Sequence, residues 1–293
     1  NLPRKKINIF TCNAWNDTIF KFWLSETINL GSKLIYGQHG SGYGFIKKHL
    51  GDMHDRIISD NFISWGQGHE KNRKNIPGIV QSVIYKKKEI PKMRNKKITI
   101  IPTINDIYLY RNELKDPNIL NDDLYTISKF VDNISKVFKD ELLFKIHPLD
   151  YKKSFSYLNY FKKNHKNIKI ITHQKNLETL MSQSRLSVFL YLGTDFLKNL
   201  SISRPSIAII PSQLMKVLTS EGIKSLKHLV EAKVVFYNFE YAQKFLVENY
   251  DKVDQWWLNS YTQSQIKKFS EKFARNPKNS FNELVNILNK CKK

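Results

Sequence analysis

The chain has 293 residues, 41% of them hydrophobic and 13% aromatic, which is enough apolar material for one large or two ordinary domains and too much for a disordered segment. Lys and Arg number 48 against 26 Asp and Glu; the resulting charge of +22 attracts nucleic acid, anionic lipid head groups, nucleotides or acidic sugars without choosing among them. Cys12 and Cys291 form neither a disulfide framework nor a zinc spacing, and with no leader pattern and no apolar run of membrane-spanning length, a reducing cytoplasm is expected.

The pattern along the chain predicts an α/β fold, with short apolar runs alternating with longer amphipathic segments. Strands are expected at Lys6 to Cys12, Lys33 to Gln38 and Asn61 to Gly66, with a helix over Asp17 to Asn29. The charged stretch from Lys86 to Lys97 reads as a boundary. Beyond it, strands are expected at Ile98 to Ile104, Leu142 to Pro148, Ile168 to His173, Leu186 to Leu192, Ser206 to Pro211 and Val234 to Asn238. Helices fill the gaps at Asp122 to Phe138, Leu177 to Gln183 and Asp195 to Ile202. Six strands make a complete doubly wound unit and three make half of one. The expected organisation is therefore a first lobe over 1–95, a second over 96–275 and a terminal helix over 276–293. The start at Asn1 rather than Met points to a trimmed chain whose first lobe is partial.

Ligands of doubly wound sheets sit beyond the carboxyl ends of the strands. The polar residues at those ends are Gln38-His39-Gly40, Asn105-Asp106, His147-Pro148 with Asp150, and Gly193-Thr194-Asp195. The stretch Tyr36 to Gly44, YGQHGSGYG, holds four of the eleven glycines and marks a sharp bend or a close approach. Gly193 and Thr194 end a buried strand and open a helix, where backbone N–H groups can hold a phosphate and the threonine hydroxyl can add a donor or merely cap. Asp195 competes with an anion there unless it turns away. His147, fixed by Pro148, can donate to a phosphate or exchange protons. Asp106 and Arg111 offer a carboxylate and an anion clamp, or a cap and a surface cation. The remaining histidines follow no metal spacing, and Trp256-Trp257 reads as packing. No GxGxxG, Walker A, GxSxG or HExxH motif is present.

Taken in order, KLIYGQHGSGYG, ISDNFISWG, KIHPLDY, YLGTDFLKNLSISRPSIAII and VDQWWLNSYTQSQIKKFSEKFAR resemble a family of bacterial transferases of surface-carbohydrate synthesis that carry QHGGGYG, TTFLE and VDxWW motifs. The resemblance covers about Asn8 to Arg275. It implies a GT-B glycosyltransferase of two Rossmann-like lobes, with donor nucleotide on the second and acceptor approaching from the first. Two positions depart from the family: Ser41 replaces its second glycine and Lys198 the glutamate of TTFLE. His-Pro with a later Thr at a helix start also resembles transferases of CMP-activated sialic acid or Kdo. By that resemblance His147 and Thr194 hold the CMP phosphate, and Gly193 and Asp195 beside Thr194 are expected to bind the donor with them. Gln38, Gly40, Ser41, Tyr43, Arg111 and Asp150 face the sugars, and His39 or Asp106 supplies the base or nucleophile.

The expected partners are a nucleotide sugar as substrate, a glycan or lipid-linked glycan acceptor and an anionic membrane surface on the cytoplasmic side, with no nucleic acid, resident cofactor or metal. A nucleotide-diphosphate sugar donor and a basic nucleic-acid- or membrane-binding module are the alternatives.

Overall fold

The computed structural model describes residues 7–12, 17–67, 75–83, 96–102, 117–148, 150, 156–166, 168–172, 176–210 and 212–291. The first sheet is four parallel strands in the order β1 (Asn8–Thr11), β2 (Lys33–Gly37), β3 (Asn61–Ile63), β4 (Asn75–Ile76). Helices α1 (Thr18–Asn29) and α2 (Leu50–Ile58) make its first two crossovers. The N-terminus of α1 is closed by Asp17, whose carboxylate accepts the Phe20 N–H at 2.9 Å. Leu24 of α1 and Ile58 of α2 pack with Leu34, Tyr36 and Phe62 on one face of the sheet.

The second sheet is built from β5 (Ile98–Ile101), β6 (Leu142–Lys145), β7 (Lys169–Ile171), β8 (Leu186–Phe189), β9 (Ser206–Ile209) and β10 (Val235–Phe236), all parallel. Its spatial order is β10-β9-β8-β5-β6-β7. Counted from β5, this is the Rossmann order of a doubly wound sheet, with its direction reversing between β5 and β8. Both faces are covered, so the strands are apolar runs rather than alternations. One face takes α3 (Pro117–Phe138), α4 (Tyr157–Asn164) and α8 (Phe239–Asn249). The other takes α5 (Leu177–Gln183), α6 (Thr194–Ser201), α7 (Ser220–Glu231) and α10 (Ser260–Phe273).

Trp257 lies in α9 (Val253–Leu258), fully buried, and its indole N–H donates to the Ser203 carbonyl at 2.9 Å. The pair with Trp256 is packing, as the sequence predicts. The last helix, α11 (Ser280–Cys291), turns back to the first sheet and buries Ile287 and Cys291 against Ile35 and Ile63.

The two sheets are stitched by backbone. Ile46 and Leu218 form an antiparallel bridge, Lys47 N–H donates to the Val217 carbonyl at 2.8 Å and Thr219 N–H to that of Phe45 at 2.9 Å. Phe45 itself sits in the core of the second sheet. No described helix is long and apolar enough to cross a membrane. The predicted boundary stretch falls largely on 84–95, outside the described residues.

Candidate functional site

The glycine-rich loop leaves β2 through Gln38, which is 4% exposed. Its backbone N–H donates to the Ile63 carbonyl at 2.8 Å; its side-chain oxygen accepts the Trp65 N–H at 2.8 Å and its amide donates to the Gly40 carbonyl at 2.7 Å. Both ends of this amide are occupied in holding the turn. Gln38 is therefore a brace of the loop in this structure.

His39 is exposed at the carboxyl end of the sheet, with Nδ1 3.0 Å from the Cys12 carbonyl. A carbonyl can only accept, so Nδ1 carries the proton and the lone pair of the neutral ring lies on Nε2.

Next in the loop, Ser41 N–H donates to Thr194 Oγ1 at 3.0 Å, joining residues 153 positions apart. The approach is close enough that a Cβ on Gly40 would lie 2.8 Å from that hydroxyl oxygen. Gly42 has φ +94, a conformation reserved for glycine, and the His49 ring packs against it. Ser41 lies outside the left-handed region, so a side chain is tolerated between the two glycines.

Tyr43 is buried between His49 and Phe62, with ring centroids at 4.6 and 5.9 Å, and its hydroxyl donates to Asp55 at 2.7 Å. Burial and the Asp55 carboxylate push its ionisation well above the usual tyrosine range. It is a protonated pillar under the loop.

On the second sheet, Gly193 caps α6 and carries the Tyr191 ring over it. Half-buried Thr194 starts the helix, and its hydroxyl, having accepted from Ser41, still has its own proton to donate. Asp195 turns along the helix to Lys198 at 3.3 Å, so its charge is partly answered on the surface.

His147 is exposed after β6, the second strand over from β8, about 10 Å away at normal strand spacing. Asp150 is 4% exposed and caps α4: it accepts from Ser156 Oγ at 2.6 Å and from the Tyr157 and Leu158 N–H groups at 3.0 Å. In this structure its carboxylate serves as the helix cap. Asp106 and Arg111 lie outside the described residues.

Sequence reasoning missed α2 entirely, and with it the two carboxylates that set the loop. Asp52 accepts the Gly44 N–H at 2.9 Å, and Asp55 holds Tyr43. The available signal was an aspartate pair at helical spacing directly after the glycines. Among the described residues there is no cluster of three side chains able to hold a metal ion.

The architecture is that of GT-B proteins. A wall teichoic acid polymerase TagF aligns with TM-score 0.50 and 13% identity over 89% of this chain and 67% of its own. A protein assigned as a UDP-N-acetylglucosamine 2-epimerase from Listeria monocytogenes aligns with TM-score 0.52 and 12% identity over 98% and 74%. At these identities the likeness concerns fold. No curated protein matches the sequence significantly. The family model of the LIC12162 family transferases matches residues 1–288, taking in the glycine loop, the strand-Gly-Thr-helix turn and the closing helices, and the chain belongs to that family.

Proposed function

We propose that this transferase is a glycosyltransferase of bacterial surface polysaccharide synthesis that moves an acidic sugar from a CMP-activated donor to a glycan or lipid-linked acceptor. The observation that carries the reading is the Ser41 to Thr194 hydrogen bond, which joins the loop of one parallel sheet to a helix start at the switch point of the other. In this reading the α6 N-terminus and the Thr194 hydroxyl hold the donor phosphate, and His147 donates from two strands away. His39 Nε2 takes the acceptor hydroxyl proton as the acceptor oxygen bonds to the anomeric carbon. The sugar–phosphate bond breaks with its electrons, releasing CMP. The charge of +22 favours an acidic sugar and a membrane-associated acceptor. No resident metal or cofactor enters the scheme.

Thermal unfolding with CMP, UDP, GDP and ADP tests the donor. Saturating CMP is expected to raise the midpoint, each 1 kcal/mol of binding giving about 2–4 °C, and Thr194→Val should abolish the shift. His39→Ala should keep the CMP shift and lose about 10²–10⁴ in transfer rate. A shift with UDP or GDP alone would move the reading to a diphosphate donor. Steeply salt-dependent polyanion binding without any nucleotide shift would replace it with a basic binding module.

A further inference from the structure

Helix α2 presents its residues in an inverted arrangement. Leu50, Met53 and Ile57 share one face by their i, i+3, i+7 spacing and are 41%, 52% and 75% exposed. Its two acids point the other way: Asp52 accepts from Gly44 and Arg56, and Asp55 is 2% exposed between Tyr43 and His54. The outer face of α2 is therefore apolar and without free carboxylate. Exposed Lys47 and Lys48 precede it. The Lys47 ammonium reaches the Lys216 carbonyl at 3.0 Å, so a third exposed lysine lies beside them. None of the three has an ion-pair partner among the described residues. Helix α1, on the same sheet face, adds Ile19 and Phe22 at 81% and 72% exposed.

We infer that this surface docks on an anionic phospholipid bilayer, with Leu50, Met53 and Ile57 entering the acyl boundary and Lys47, Lys48 and Lys216 on the head groups. An apolar stripe rimmed by lysine matches an interfacial helix. A second copy of a chain at +22 is repelled by like charge, whereas an anionic bilayer is attracted. The opposite face of the same helix holds Gly44 and Tyr43, so docking would bring the glycine loop to one helix diameter, about 10 Å, from the membrane surface, on the side from which a lipid-linked acceptor would approach.

The experiment is co-sedimentation of the full chain with vesicles of equal parts phosphatidylglycerol and phosphatidylcholine, and with phosphatidylcholine alone. Binding to the anionic vesicles is expected. Met53→Asp with Ile57→Asp should weaken it by about tenfold or more at an unchanged melting midpoint, and Lys47→Glu with Lys48→Glu should do the same. Lys224→Glu with Lys227→Glu, exposed on α7, should reduce binding far less. If the aspartate pair fails to fold, Met53→Ser with Ile57→Ser carries the same test. The proposal is overturned by no binding of the parent chain, by equal loss in the α7 pair, or by unchanged binding in the α2 variants. A dimer that the α2 variants dissociate without touching vesicle binding would also overturn it. Vesicle binding and CMP binding can fail independently, so this surface and the transfer reading are tested apart.

Discussion

Ser41 contributes to the site through its backbone and Thr194 through its hydroxyl, so the two tolerate substitution differently. Ser41→Ala keeps the donating N–H and should leave stability and nucleotide binding unchanged. Gly40→Ala puts a methyl 2.8 Å from the Thr194 oxygen and forces the loop or the hydroxyl aside. It should cost about 1–3 kcal/mol in urea unfolding and remove the CMP-dependent melting shift, whereas an unaltered shift would show that the contact does not shape the site. Thr194 and Gly193 were legible in the sequence because strand, glycine and helix start are local. Their meeting with Ser41 was not, because only the packing of two sheets brings together residues so far apart in the chain. The capping role of Asp150 was illegible for a related reason. It is set by Ser156, Tyr157 and Leu158 downstream, at the start of a helix absent from the expected elements.

At the scale of elements, the strands of the second sheet were the most legible, because parallel strands buried on both faces must be continuous apolar runs such as Leu186–Phe189. Helix α2 was illegible for the opposite reason: its acids are inside and much of its apolar surface outside, which inverts the usual pattern. Helices α7 and α10 bury Gly222, Ser225, Thr262 and Gln265 alongside their leucines and phenylalanines, which dilutes the apolar period. The acids of α2 also set a pH dependence. Tyr43 is held protonated in the folded chain, so its contribution is fully present below the unfolded tyrosine pKa of about 10 and is lost as pH rises beyond it. Stability should fall above that pH, and Tyr43→Phe should blunt the fall while costing about 1–3 kcal/mol at neutral pH through the unpaired Asp55. Urea unfolding of both proteins across neutral and alkaline pH checks this.

For the whole molecule, the segment after α10 ties the two sheets together. Arg275 donates its N–H to the Trp65 carbonyl and accepts from Val80 N–H, both at 2.9 Å, and its guanidinium pairs with Glu271 and Glu283. Helix α11 then covers the first sheet through Leu284, Ile287 and Leu288. A chain ending before Ser280 should lose on the order of 5 kcal/mol, with the loss seen as a lower melting midpoint and dye binding to the bared sheet. An unchanged midpoint would mean the helix is dispensable cover. Cys291 lies at the end of that helix, 4% exposed, and burial raises its thiol pKa. In a Cys12→Ser background it becomes a chemical clock: a thiol reagent modifies it only when α11 lifts away, so the labelling rate, divided by that of a free cysteine, counts how often the chain's two ends come apart.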